Sequence, residues 1–557
     1  MAHALLDRAE AAPEGQALLG DILSVRGRLL KDAYHRAPQR PGAVKLAFRA
    51  REQYLKAYRF AHDPHPGINA AALAMVLGEP DVSRALATEI RQIVGQRSEQ
   101  STWDVATDAE AHVLLGDIDG AAHRYAAAFA LAADNAGIIA TMRRQVGLLA
   151  RAIPDALPLL TLLRAPDVVA FAGHMVDAPQ RAVPRFPPAL APVVRGALDR
   201  HLAELHQPIV FTSAACGGDL LFIEAALARG AEVNVVLPFD REDFVRTSVA
   251  IGGDEWVRRF EDALSRVARV VMGTEENHLG DDILFEHAAQ LVEGFSRLRA
   301  AQLETSPTML CVMDPSSNGS VGGTHTAYER WSRTLGPPQV IDLSTLREAH
   351  EDAQGREPGA ATKPLPPSAP DGAMNGADRG RRSWKTMMFA DFAGFSRVQD
   401  AFAPQFHERF LEIAAAQIEA AAVKPLDAKT WGDGLYVVFE SPQEAAWFAL
   451  GFLERTLDVD WTAAGLSAAS PIRVALHAGP VFRGFDPVMA REHFFGSSVT
   501  RAARIEPVTQ AGTVYASEAF AATLAAAGQG GFRLEYIGRL PLAKGYGEST
   551  IYRLDRA

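Results

Sequence analysis

Cysteine is nearly absent: the 557 residues contain two, Cys216 and Cys311, each in apolar or small-residue surroundings. That excludes a disulfide framework or a cysteine zinc site and suits a reducing compartment. Long hydrophobic runs are missing as well. No stretch approaches the ~18 apolar residues that a membrane-spanning helix needs. The opening Met1-Ala2-His3-Ala4 has neither a basic n-region nor an uninterrupted apolar core, so no signal peptide is expected. Positive charge is also short, with a formal net charge of −11, whereas general nucleic-acid binders carry a basic surface. The expectation is a cytoplasmic protein with neither membrane nor nucleic-acid partners. A nucleotide substrate stays open, since it needs only a local cationic site.

What remains is ordinary globular composition, 48% hydrophobic and 22% charged. At ~150 residues per domain the length suggests three or four units. Residues 1–160 are rich in Ala and Leu at helical spacing. Ala71 to Asp81 is echoed by Ala109 to Asp119; each piece is a helix ending in Leu-Gly and an acidic turn. With Trp103 upstream and Tyr125 downstream, the second copy resembles a tetratricopeptide-type helical hairpin. The two readings of this all-α, helical-repeat region are a groove for a protein partner and a plain helical bundle.

From Asp167 the pattern changes. Val168 to His174, Pro208 to Ser213, Glu232 to Pro238, Ala268 to Met272 and Thr308 to Met313 read as strands separated by helices. That alternation predicts an α/β domain with a doubly wound parallel sheet over 165–345. Its loops place Gly173, Gly217-Gly218-Asp219 and Gly322-Gly323-Thr324 before helices, where backbone amides suit phosphate. His174, Asp177, Cys216 and His325 are scattered single candidates and read as structural. Through Ser213 to Asp219 and Gly322 to Thr324 the region resembles the SLOG superfamily. That resemblance implies a nucleotide-derived ligand at Gly173, Gly217, Gly218, Asp219, Gly322, Gly323 and Thr324.

Residues 346–384 are rich in Pro, Gly, Ala and charge, and read as a flexible linker. Such a tether transmits little torque, so any communication across it must use docking or dimerisation. Beyond it, Met387 to Ala390 form an apolar strand leading into Asp391, and the small-residue turn Phe392-Ala393-Gly394-Phe395-Ser396 follows. A carboxylate beside free turn amides suits a cation carrying a polyphosphate. A helix over Gln405 to Ala422 comes next. A second acid, Asp433, sits between strands in Lys429-Thr430-Trp431-Gly432-Asp433-Gly434, and converges on Asp391 if the two strands are neighbours. Farther on, Thr500 and Arg504 share a helical face in Phe494 to Arg504. With Lys544, Arg504 supplies the cations that a polyphosphate transition state needs.

In these motifs residues 385–557 resemble the catalytic domain of the class III nucleotidyl cyclases. The resemblance implies an α+β domain with a ferredoxin-like core that binds two Mg²⁺ or Mn²⁺ ions per active site. Asp391, the Phe392 carbonyl and Asp433 match the metal ligands, and Gly394, Phe395 and Ser396 the triphosphate loop. Arg504 matches the transition-state arginine, Thr500 the ribose-orienting position and Lys544 a phosphate-binding lysine. Lys429 and His493 match the base-selecting positions. Two of these depart from the family pattern, because asparagine is usual at 500, and Asp or Thr accompanies adenylyl activity at 493. The expected function is a regulated cyclase of an NTP, ATP first, with GTP or a pyrimidine NTP open. A homodimer is implied, because the family builds each site from two subunits. A silent cyclase-like domain that binds nucleotide and signals by dimerisation is the alternative.

Overall fold

The computed structural model describes residues 6–7, 9–10, 17–353, 381–393, 403–461 and 472–557, apart from 37, 40, 134, 179, 180, 182, 317–321, 460 and 529. Gly394, Phe395 and Ser396 lie outside the described residues. The chain divides into two compact units, one dominated by residues 1–166, the other by 167–301 and 306–556.

The first unit is helical: α1 (Leu19–Arg36), α2 (Ala43–Ala61), α3 (Pro64–Val76), α4 (Pro80–Gly95), α5 (Thr102–Leu114), α6 (Ile118–Ala132) and α7 (Ala136–Leu149). The sequence echo is a structural repeat. Gly78 at φ +79° and Gly116 at φ +84° end α3 and α5 in the left-handed conformation that favours glycine. In both turns the glycine amide and the next one reach back to helix carbonyls: Gly78 to Met75 and Glu79 to Ala74, Gly116 to Val113 and Asp117 to His112. This is the six-to-one, five-to-two pattern of a Schellman ending. Small alanines (Ala71, Ala72, Ala106, Ala109) are fully packed between the helices, and Tyr125 is buried. Trp103 is exposed and faces a groove with Lys31, Tyr54, His65 and Arg144. Its placement is not that of a core tryptophan.

The second unit holds two sheets. One comprises β1 (Val168–Gly173), β2 (Ile209–Thr212), β3 (Glu232–Leu237), β4 (Arg269–Met272), β5 (Thr308–Met313) and β6 (Gln339–Asp342), in the order β4-β3-β2-β1-β5-β6. Every pairing is parallel, as the alternation of strands and helices predicted. β6, four residues long, had no sequence signal. The helices around it are α8 (Ala191–Ala203), α9 (Gly218–Ala228), the short α10 (Arg241–Phe244), α11 (Asp254–Arg266), α12 (Ile283–Gln302) and α13 (Thr324–Leu335). Phe171 of β1 stacks on Phe222 of α9 at 4.0 Å in a core of Val, Leu and Phe.

Described elements overlap both ends of the expected linker, residues 346–384, whose positions 354–380 lie outside the described residues. Residues Leu343–Ala353 form α14, whose Leu343 is buried in this core with Leu346 against it, and the next sheet begins at Arg382. Apolar anchors override a polar local composition here.

The second sheet contains β7 (Arg382–Phe392), β8 (Asp427–Trp431), β9 (Gly434–Phe439), β10 (Ile472–Asp486), β12 (Thr513–Ser517), β13 (Phe532–Pro541) and β14 (Glu548–Arg556), with β11 (Arg491–Phe495) hairpinned on β10. Its helices are α15 (Ala403–Ala420), α16 (Pro442–Leu457), α17 (Ser497–Ile505) and α18 (Glu518–Ala526). The first six elements run β7-α15-β8-β9-α16-β10, and the sheet order β10-β7-β9-β8 is antiparallel throughout. That is a ferredoxin-like βαββαβ core.

Candidate functional site

The register of β7 fixes the site. Ala390 pairs with Leu435 of β9, so Asp391, one step on, faces the turn that carries Asp433. On its other side Asp391 pairs with Arg473 of β10. Two acids thus converge at one sheet end. Gly432 at φ +58° makes the β8–β9 turn tight enough to hold Asp433 there.

Burial raises the pKa of Asp433, and the neighbouring Asp391 charge pushes it the same way. Glu506, at the end of α17, joins them; burial and then Asp391 push its pKa up to about 7. Arg473 offsets part of this charge, with Nη2 2.8 Å from Asp391 Oδ2 and Nε 2.8 Å from Glu506 Oε1. A half-buried cluster of acids with one arginine is short of positive charge, which raises the proton affinity of Asp433 and Glu506. Oxygen donors of this kind suit Mg²⁺ or Mn²⁺ completed by phosphates and water. Among the described residues, no group of three or more His, Cys, Asp or Glu is arranged to hold a metal by itself. Asp391 and Asp433 offer two carboxylates to such an ion.

α17 lies against β7 and β10 through Val499, Ala502 and Ala503, which pack on Met387, Phe389 and Val481. That docking turns Thr500 and Arg504 to the half-exposed side. The Thr500 hydroxyl rests on the Gly496 carbonyl at 3.4 Å. Arg504 has a buried Nε without a partner and no ion pair among the described residues. Lys544 is exposed in the left-handed conformation at φ +60°. Its turn is held near α17, because Arg501 lies over the Tyr546 ring at 5.8 Å.

Lys429 on β8 and His493 on β11 both lie within electrostatic reach of Asp486 at the tip of the β10–β11 hairpin. Lys429 Nζ is 3.3 Å from Asp427, and His493 Nδ1 is buried without a partner. Both influence Asp486: two backbone amides, of Met489 and Val488, hold its carboxyl below the usual range, and His493 and Lys429 add to that. Sequence reasoning missed Asp486, Arg473 and Glu506. Strand register places Arg473 beside Asp391, and the end of α17 brings Glu506 to Arg473. His477 is buried neutral, with Nδ1 2.7 Å from Ser517 Oγ.

In the parallel-sheet domain, Gly173, Asp219, Gly322, Gly323 and Thr324 line one cavity of about 390 Å³ at the carboxyl ends of the strands. Gly217 and Gly218 sit behind it, packed on the backbone of β1 and the segment after it. A Cβ at Gly173 would meet Gly218 Cα at 2.6 Å, so only glycines permit the approach. His174 lines the same cavity, and burial lowers its pKa to about 3. Asp219 is buried with its carboxylate accepting from Gly173 N at 2.9 Å and Ala215 N at 3.2 Å. Both cysteines are buried thiols, Cys216 pushed up to about 11 by burial.

Comparison with known proteins addresses the two ends of the chain. Residues 381–556 match the family model of the adenylate and guanylate cyclase catalytic domain. Residues 3–150 match the family model of the MAP3K TRAFs-binding domain. Neither match spans the parallel-sheet domain. Similar solved structures include the guanylate cyclase domain of RhGC from Catenaria anguillulae in complex with GTP, 20% identical, covering 32% of this chain and 98% of that one, TM-score 0.27. An adenylate cyclase from Trypanosoma brucei in its monomeric state is 20% identical over 31% of this chain and 88% of its own, TM-score 0.28. The adenylyl cyclase CyaB from P. aeruginosa is 18% identical over 32% and 96%, TM-score 0.26. No curated protein matches the chain. The C-terminal domain is a cyclase catalytic domain homologous to the adenylyl and guanylyl cyclases. No helix among the described residues is long and apolar enough to cross a membrane.

Proposed function

We propose that the chain is a nucleotidyl cyclase that converts an NTP, ATP in the first instance, to a 3′,5′-cyclic nucleotide and pyrophosphate, under control of its N-terminal domains. The observation that carries this reading is the convergence of Asp391 and Asp433 at one sheet end, where burial and the Asp391 charge raise the pKa of Asp433. Asp391, the Phe392 carbonyl and Asp433 would hold the two ions, which when bound supply Lewis acidity at the ribose 3′-hydroxyl and neutralise the leaving pyrophosphate. Arg473 holds the Asp391 carboxylate in place from the adjacent strand. Arg504, unpaired and half-buried, offers its guanidinium to the charge that develops on the α-phosphate. Thr500 orients the ribose with a hydroxyl of shorter reach than an amide. Lys544 engages the outer phosphates, and Lys429 and His493 face the base.

Arg504 has no acid partner within its own chain among the described residues, and Asp391 is served by Arg473. Both facts support a homodimer in which the acids of one copy meet the α17 of the other. Turnover to pyrophosphate should fall by about 100-fold or more in Asp391→Ala and in Asp433→Ala, with circular dichroism unchanged. Unchanged turnover in either variant would overturn the assignment.

A further inference from the structure

Asp427 and Lys429 stand two apart on β8 and therefore share one face of that strand. The residues opposite them on β9, Val438 and Tyr436, are buried in the cluster on which α17 docks. The pair thus projects on the α17 side of the sheet, from its edge strand. On β11 the same spacing recurs, with Arg491 and His493 two apart on one face. No ladder joins β8 to β11 among the described residues, because β9 and β7 stand between β8 and β10, the partner of β11. Side chains join them instead.

The Asp427 carboxylate is the joint. Its side chain keeps only 7% exposure, and each of its oxygens faces a cation. Oδ2 lies 3.3 Å from Lys429 Nζ, and Oδ1 lies 3.8 Å from Arg491 Nη1. The same Nη1 donates to the Ala428 carbonyl at 3.3 Å, which ties β11 to the backbone of β8. A buried triad of this kind adds little to stability, since apolar side chains in its place often serve as well or better. What it supplies is placement. A lysine ammonium is a point charge on a flexible four-carbon stem with three rotatable donors. Asp427 fixes where that charge sits and leaves its remaining N–H groups for an acceptor atom. Through Arg491 the same carboxylate sets the strand that carries His493, whose Nδ1 is buried without a partner.

We propose that Asp427, with Arg491, is the positioning element for base recognition, holding the Lys429 ammonium and the His493 ring at a fixed separation. This deepens the cyclase reading and rests on it for the assignment of Lys429 and His493 to the base. Asp427 and Arg491 act through those two side chains, so they govern which base is accepted and not the phosphate chemistry at Asp391 and Asp433.

The test compares the full chain with Asp427→Asn, a change that keeps the shape and removes the charge. The probes are the four 3′-deoxynucleoside triphosphates, which lack the attacking hydroxyl and bind without reacting. Calorimetry gives the affinity ratio between the preferred base and the next. That ratio should fall about tenfold or more in Asp427→Asn, the worth of one hydrogen bond to a charged group. Arg491→Gln should lower it as well, and the double variant should lower it no further, because both residues act through one joint. Tripolyphosphate, which carries no base, should bind the wild type and all the variants alike. A wild type that binds the four probes equally, a ratio unchanged in either single variant, or additive losses in the double variant overturns the proposal. Loss of tripolyphosphate binding alongside the ratio also overturns it, because the carboxylate then serves the fold and not the base. With the reacting NTPs, Asp427→Asn should lose base preference in turnover by the same factor. If no cyclic product forms from any NTP, the cyclase reading fails, and the affinity ratio still decides this one.

Discussion

Asp391 and Asp433 could be paired from sequence because each ends a strand-like run in a small-residue turn. The residues that tune them could not. Arg473 and Glu506 are far from Asp391 in sequence and reach it only through register and the end of α17. The same holds for Asp486, placed by a hairpin beside Lys429 and His493. Base choice belongs to this scale. Lysine at 429 goes with adenine in the cyclase family that this domain resembles, so Lys429→Glu should move preference toward guanine. The ratio of adenine to guanine product should fall about tenfold or more. A ratio that does not move would place base reading elsewhere, with His493 and Asp486 as the next residues to exchange.

At the scale of elements, the parallel sheet was legible from alternating apolar runs, and five of its strands fall within a residue or two of their sequence-based bounds. Short β6 and the anchored helix α14 were not, because polar composition hides a segment whose fold depends on a few buried contacts. Nor could sequence show that the two sheets of the second unit dock. α12 meets α18 so closely that a Cβ on Gly294 would come within 1.9 Å of the Ala522 carbonyl. Arg269 pairs with Glu518 at 2.6 Å beside it. Gly294→Ala should therefore lower stability by about 1–3 kcal/mol and split thermal unfolding into two transitions by calorimetry. A single unshifted transition would contradict this docking.

The same interface carries a pH dependence. Burial lowers the pKa of His287 to about 4, its Nδ1 accepts from Trp384, and the neutral His477 lies nearby. A histidine with a depressed folded pKa binds fewer protons folded than unfolded. Its contribution to stability is whole above pH ~6.5 and declines as pH falls toward 4. Emission from Trp384 should report loosening in that window, and the transition should vanish in Trp384→Phe. An unchanged wild-type signal between those limits would sink the claim.

For the whole molecule, both cysteines are free buried thiols, and no described helix is long and apolar enough to cross a membrane. The paired-copy arrangement is tested by complementation. Asp391→Ala and Arg504→Ala chains are each inactive alone. Mixed in equal amounts and allowed to exchange, they should recover about a quarter of wild-type turnover, because random pairing leaves one intact site in half of the dimers. No recovery would mean that acids and arginine serve one site within a single chain. The central claim is tested most directly by mass spectrometry. The purified chain is incubated with each of the four NTPs and Mn²⁺ or Mg²⁺, and the products are resolved by mass. A 3′,5′-cyclic nucleotide formed with pyrophosphate from at least one base, ATP foremost, is the predicted result. Nucleotide bound but no cyclic product from any base would contradict it and leave a silent, nucleotide-binding domain in its place.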